Sequence, residues 1–283
     1  MAVTEHIASQ TAQTVAVLRA VHQLFDGAPR ILEDPVVLDL LPPPVSEDLR
    51  AHPERFQAPA VRGLRSHVVV RSRFAEDRLA EAAARGMGQY VVLGAGYDTF
   101  GFRQPGWAGA LRIFEVDQPA TQAFKRERLA AAGIDVPANV QLVSIDFECE
   151  ALHERLAAAG VRLDQPVFFS WLGVTVYLTT DAIDAVFRMV AALPPSSEIV
   201  FTFAQPLSDR PEDAARVAMA DRAAAVGEPW ITFFEPQVLA DDLRALGFSR
   251  VELLTPAETS ARYFRGRADL SVPRQISIAA AVR

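Results

Sequence analysis

Gln89-Tyr90-Val91-Val92-Leu93-Gly94-Ala95-Gly96-Tyr97-Asp98-Thr99, with Phe114-Glu115-Val116-Asp117 after it, decides how this chain is read. An apolar run that stops at Gly94 and Gly96 reads as a buried strand ending in a turn where a ligand can approach bare backbone. The second apolar run ends in acid. At the tip of the second strand of an open α/β sheet, a carboxylate is placed to accept hydrogen bonds from both hydroxyls of a ribose, so the pair points to a nucleoside. Asp117 is the first candidate for that contact. Glu115 competes from the same strand face, and capping of the helix that starts at Pro119 is the structural alternative for Asp117.

The turn itself narrows the nucleoside. A dinucleotide site carries a third glycine, which lets the next helix pack tightly beneath a pyrophosphate. Here that position is Thr99, and Gly101, Pro105 and Gly106 interrupt the stretch that would have to be the helix. A nucleoside without phosphates fits better, and S-adenosylmethionine is the common ligand of that kind. Its amino-acid tail needs polar partners near the glycine turn, where Tyr97 and Asp98 follow.

Outward from this stretch, strand candidates Tyr90 to Leu93, Leu111 to Val116, Val140 to Ile145, Val167 to Val176 and Ile199 to Phe203 alternate with helical segments around 119–132, 149–159 and 180–193. Such alternation predicts parallel strands joined by crossover helices. Pro119 suits a helix start and Gly133 a helix end. Ser9 to Leu24 has the apolar spacing of an amphipathic helix, Arg71 to Arg85 reads as a helix stopped by Gly86 and Gly88, and another helix is expected near Glu235 to Leu246. Val251 to Leu254 and Ile276 to Val282 read as two last strands with a long excursion between them. The division expected is an N-terminal helical cap over 1–85 and a core over 86–283, with no internal repeat.

The 283 residues, half of them hydrophobic, suffice for a substantial core. A formal charge of −7 argues against a nucleic-acid partner, since phosphate binding needs clustered positive charge. One cysteine, Cys149, allows neither an internal disulfide nor a CxxC metal site, and the five histidines are too dispersed for a helical zinc motif. No metal is expected. The sequence has no stretch suited to cross a bilayer and no recognisable secretion signal, which leads to the expectation of a cytoplasmic protein without a membrane partner.

The strings VLGAGYDTFGFR, FEVDQPATQAFKRERL, VSIDF and FFSWLGVTVYLT, in this order, resemble the leucine carboxyl methyltransferase family, in particular its bacterial branch of S-adenosylmethionine-dependent methyltransferases. The resemblance begins at Thr11-Ala12 and Ile31-Leu32-Glu33-Asp34-Pro35 and continues to the segment Pro229 to Phe234. It implies a class I methyltransferase, Rossmann-like α/β fold: a seven-stranded, mostly parallel sheet with an antiparallel C-terminal edge. It also implies S-adenosyl-L-methionine as cofactor, Asp117 on its ribose, Gly94 and Gly96 against its tail, and Asp146 and Phe147 at its adenine. From spacing alone, Asp146 could equally cap a helix beginning at Glu148. Arg71 lies where the family has an arginine pairing with the cofactor carboxylate, with Arg73 as the neighbouring competitor. The sequence departs from the pattern at Leu172, where eukaryotic members carry a glutamate for the cofactor amino group. Either backbone carbonyls near Ser170 and Gly94 take over that contact, or the tail is held differently.

Methyl transfer from a sulfonium asks mainly for near-attack geometry, and no Ser-His-Asp or Cys-His arrangement is evident. A carboxylate acceptor is ionised at neutral pH and needs no general base, so carboxylate methylation of a small molecule or peptide is the first expectation and hydroxyl methylation of a natural product the second. Trp171 and Tyr177 are candidates for the acceptor pocket, against the alternative that both are core. The excursion over 256–274 is expected to close over the acceptor, with Arg265 or Arg267 pairing to an acidic group. A nicotinamide oxidoreductase, disfavoured by Thr99, and a non-catalytic methyltransferase-like scaffold, kept open by Leu172, are the readings from other classes. The acceptor and the oligomeric state are not legible in the sequence.

Overall fold

The computed structural model describes residues 10–145, 151–208, 213–225, 227–273 and 277–283. Its centre is a seven-stranded sheet in the order β3-β2-β1-β4-β5-β7-β6, made of β1 (Gln89–Leu93), β2 (Arg112–Asp117), β3 (Val140–Ser144), β4 (Phe168–Trp171), β5 (Glu198–Phe203), β6 (Arg250–Leu253) and β7 (Ser277–Val282). Parallel pairing joins β1 to β2 and β4, β2 to β3, and β4 to β5. Only β7 reverses, and it lies between β5 and β6. The last two strands thus form the expected antiparallel C-terminal edge, with β6 outermost and β7 inserted beside β5.

The continuous apolar runs of the inner strands follow from burial on both faces. Along β1, Tyr90 and Val92 join one core cluster while Val91 and Leu93 join the other. The first face carries the N-terminal cap, α1 (Gln10–Phe25), α2 (Val37–Leu40), α3 (Pro43–Ala51) and α4 (Pro59–Ala84). The second carries α6 (Leu152–Ala158), α7 (Thr180–Ala191) and α9 (Pro236–Ala245). Between β2 and β3 runs α5 (Pro119–Ala131), with Pro119 in its first turn and Gly133, at φ +67°, just past its end. Proline needs no donor at the start, and glycine takes the left-handed conformation at no steric cost.

The helix expected from Arg71 starts at Pro59 and runs for 26 residues. Its stretch Arg65 to Arg71 is buried without interruption, so no polar face marked it in the sequence. The fourth strand is shorter than expected. After Trp171 the chain turns at Gly173, φ +79°, into a 3₁₀ turn at Thr175–Tyr177. The short α2 and α3 were not read as helices from the sequence, nor were two later ones, α8 (Ala214–Ala225) and α10 (Pro256–Tyr263). The second begins with a reciprocal cap between Thr255 and Glu258 and occupies part of the supposed excursion. Among the described residues no helix is long and apolar enough to cross a membrane, and no cluster of His, Cys, Asp and Glu is arranged to hold a metal ion.

Candidate active site

A cavity of about 470 Å³ lies at the carboxyl ends of β1, β2 and β4, the position where open α/β sheets bind ligands. The turn after β1 forms its floor. Gly94 has φ +67°, and a Cβ there would collide with Val174 Cγ2; a Cβ on Gly96, φ +49°, would reach 3.2 Å from Ala12 of α1. Both positions demand glycine for backbone conformation and for space.

Asp117, at the tip of β2, is half-buried in the cavity wall. Its Oδ2 accepts from the Gly96 amide at 2.6 Å and its Oδ1 from the Gln118 amide at 2.7 Å. Burial pushes its pKa up, against these amides, which favour the carboxylate. The capping alternative is not what is observed: Gln118 is the N-cap of α5, without a side-chain cap. Glu115 is removed from contention. It is fully buried behind the cavity, ion-paired with Lys125, and burial raises its pKa to about 7.

Arg71 of α4 enters the cavity wall 8% exposed. Among the described residues it makes no hydrogen bond or ion pair, although it senses the charge of Asp98, which also lines the cavity. Desolvation lowers its pKa to about 10. Gly173 holds it in place, since a Cβ there would stand 2.6 Å from Arg71 Nη1. The competitor Arg73 is at the surface, its Nε donating to Asp77 at 2.7 Å. One turn before Arg71, His67 is fully buried, and burial with the Arg71 charge pushes its pKa well down, so the imidazole adds no second positive charge. A buried guanidinium without an anion beside a carboxylate suits the carboxylate and ammonium of an amino-acid tail. With Asp117 on the far side of the Gly94-Ala95-Gly96 turn, the residues present fit S-adenosylmethionine.

Beyond the turn the cavity is walled by Leu172, Val174, Leu178 and Ile231, with Tyr177 and Glu228 among its polar groups. The Tyr177 phenol lies beside Thr11, and burial pushes its pKa up, which keeps it protonated at neutral pH. Leu172 does line the cavity, as an apolar residue packed against the core. Ser170 faces inward and shares a 2.8 Å hydrogen bond with Tyr90.

Trp171 is not in the pocket. Strand alternation turns it to the opposite face, where it is 1% exposed and its ring lies 5.8 Å from Phe187. Arg265 is exposed, and among the described residues that line the cavity none comes from 256–274. Arg267 instead bonds the carbonyl of Gly27 and pairs with Asp269 at 2.6 Å, while Tyr263 donates to Asp77 at 2.9 Å. The excursion is thus fastened to the cap, away from the cavity. Asp146 and Phe147 lie outside the described residues. Val174 under Gly94, Asp98 and Glu228 were given no weight or little in the sequence. Of these, only Asp98 carried a signal, its position two residues after Gly96.

The family model for leucine carboxyl methyltransferase matches residues 12–191, well over half of the chain, and takes in the glycine turn, Arg71, Asp117 and Tyr177. The chain belongs to the leucine carboxyl methyltransferase family. Among relatives in this family, YktD of Bacillus subtilis, described as a "Putative S-adenosyl-L-methionine-dependent methyltransferase", is 34% identical over 71% of this chain and 67% of its own. A protein of Mycolicibacterium paratuberculosis with the same description is 35% identical over 58% of this chain and 51% of its own. The aligned regions thus span from about half to two thirds of these relatives' lengths. Among solved structures, a methyltransferase-like protein from Thermobifida fusca superposes with a TM-score of 0.58 at 18% identity, covering 95% of this chain and 94% of that one. A duf574 family protein from Streptomyces avermitilis gives 0.54 at 16% identity, over 95% and 97%. The fold is that of class I S-adenosylmethionine-dependent methyltransferases.

Proposed function

We propose that the chain binds S-adenosylmethionine across the Gly94–Gly96 turn and transfers its methyl group to an oxygen of an acceptor held at the Tyr177 end of the cavity. The observation that carries this is the convergence of an Arg71 without hydrogen-bond or ion-pair partner among the described residues, a glycine turn and Asp117 on one cavity. In this reading Asp117 accepts from the ribose hydroxyls, Arg71 pairs with the tail carboxylate, and Asp98 takes the ammonium that a glutamate holds in eukaryotic members. The cofactor supplies a methyl group on a positively charged sulfur. The chain supplies position, and fixed near-attack geometry is worth roughly 7–11 kcal/mol of barrier.

A carboxylate on a small molecule or peptide is the acceptor class this reading favours. It arrives ionised, so it asks for no base. The described lining residues include no histidine, and Tyr177 is held protonated as a donor. Hydroxyl methylation is the second reading, favoured by Glu228 in the same part of the wall, a carboxylate able to receive the hydroxyl proton. A cytoplasmic setting accords with the single cysteine. S-adenosylhomocysteine release, followed with S-adenosylmethionine and a panel of carboxylic acids, peptides and phenols, tests the assignment. Turnover with a carboxylate that survives Glu228→Gln supports the first reading. Turnover confined to phenols and lost in that variant supports the second, and release from no oxygen acceptor, with cofactor binding intact, counts against both.

A further inference from the structure

The N-terminal cap and the glycine turn meet at a carboxylate that does not itself line the cavity but pairs with Arg19, which does. Asp34 is fully buried between α1 and α2. Its Oδ1 accepts from the Thr99 hydroxyl at 2.6 Å and from the Val37 amide at 3.3 Å, while its Oδ2 lies 3.1 Å from Arg19 Nη1. Arg103 Nε donates to Thr99 Oγ1 at 3.0 Å and stands 3.4 Å from Asp34 Oδ1. Both guanidiniums then reach further, Arg19 to the Tyr97 carbonyl and Arg103 to Glu76 on α4. Two cations and two carboxylates from separate elements thereby grip Tyr97 to Thr99, the residues directly after Gly96.

Thr99 stands where a dinucleotide turn would carry its third glycine. Its hydroxyl does what glycine cannot, tying the turn to the cap through Asp34. The tie continues toward the ligand, because the Gly96 amide next in the turn donates to Asp117. In a buried network each bond is stronger than in water, and loss of one partner leaves another polar group unpaired.

We propose that Asp34, acting through Thr99, is a positioning residue for the nucleoside site: it fixes the turn so that the Gly96 amide and Asp117 face the ribose, making cofactor affinity dependent on the docked cap. The inference rests on the reading of this cavity as the S-adenosylmethionine site. A merely structural clasp would lower the thermal midpoint of the free protein and leave the affinity of the folded protein alone. A positioning role changes affinity, and changes it at the ribose.

Calorimetric titration of full-length wild type, Asp34→Asn, Thr99→Val and Thr99→Ser with S-adenosylhomocysteine and with its 2′-deoxy analogue, at a temperature where each variant is folded, separates the two. Thr99→Val and Asp34→Asn should bind S-adenosylhomocysteine about tenfold more weakly or worse, and Thr99→Ser should stay within about threefold of wild type. The preference for S-adenosylhomocysteine over the deoxy analogue should shrink in Thr99→Val. Unchanged affinity in Thr99→Val despite a lower midpoint, or equal losses for both ligands, would overturn the proposal. Should Asp34→Asn not fold, the Thr99 pair decides alone. A wild type that binds neither ligand removes the cofactor reading itself, and the proposal with it.

Discussion

Replacing Arg71 by methionine should make the ligand-free protein more stable and the cofactor site weaker. The guanidinium is 8% exposed and has no hydrogen-bond or ion-pair partner among the described residues, so the desolvation of its charge is only partly offset by the fields of Tyr177 and Asp98. A pKa brought down from 12.5 to about 10 corresponds, at 1.36 kcal/mol per unit, to about 3 kcal/mol against the charged form. At neutral pH the proton is on in both the folded and the unfolded chain, so that cost is present in full and is relieved only as pH rises through about 10. Methionine fills part of the volume of the arginine stem, and some packing is lost. A net gain of about 1–3 kcal/mol is expected, or about 2–4 °C in thermal midpoint for each kcal/mol. The same variant loses a charge-assisted pair to the cofactor carboxylate, worth about 1.5–3 kcal/mol, or roughly 10- to 100-fold in affinity. Scanning calorimetry with and without S-adenosylhomocysteine reads both effects in one experiment. A variant that is less stable than wild type, yet shifted by the ligand as much as wild type, would refute the reasoning.

Three further outcomes follow from the geometry. Gly94→Ala combines a φ of +67° with a Cβ that collides with Val174; it should cost more than about 1 kcal/mol in urea unfolding and abolish S-adenosylhomocysteine binding, with Val174→Ala restoring part of the stability. Trp171→Phe changes a ring that packs on Phe187, on the other sheet face from the cavity; stability should shift by about 1–2 kcal/mol and ligand affinity by less than twofold. Glu115 is an acid whose folded pKa is raised, to about 7, so the folded chain holds its proton more tightly and stability falls as pH rises from about 4.5 to 7. Urea titrations at both ends of that range should give Glu115→Gln a smaller fall than wild type, by at most about 3 kcal/mol, and an equal fall would remove Glu115 as its source.

The glycine turn, Asp117 and Arg71 were legible because each is a local pattern: an apolar run that ends in glycine, an apolar run that ends in acid, and a family position. Most of what escaped depends on contacts remote in sequence; α10 is the exception, since its Thr255–Glu258 cap is a local pattern. Arg65 to Arg71 is buried on every side, so the first half of α4 lacked the period that reveals a helix. Trp171 and Tyr177 looked alike as aromatic residues near one strand. Strand alternation sends the first to the core, and the turn at Gly173 releases the second into the cavity. Nor could composition show that Arg267 would be spent on the carbonyl of Gly27, some 240 positions away. Thr99 was read only as a missing glycine, since its partners Asp34, Arg19 and Arg103 are gathered by the fold.

The central claim is that Asp117 and the glycine turn bind the nucleoside of S-adenosylmethionine. Its most direct test is isothermal titration of the purified chain with S-adenosylmethionine, S-adenosylhomocysteine and NAD, repeated on Asp117→Ala. The account predicts micromolar binding of both adenosyl ligands, loss of both in the variant, and no heat from NAD. Folded protein that binds neither adenosyl ligand, or binds them equally well without Asp117, would contradict it.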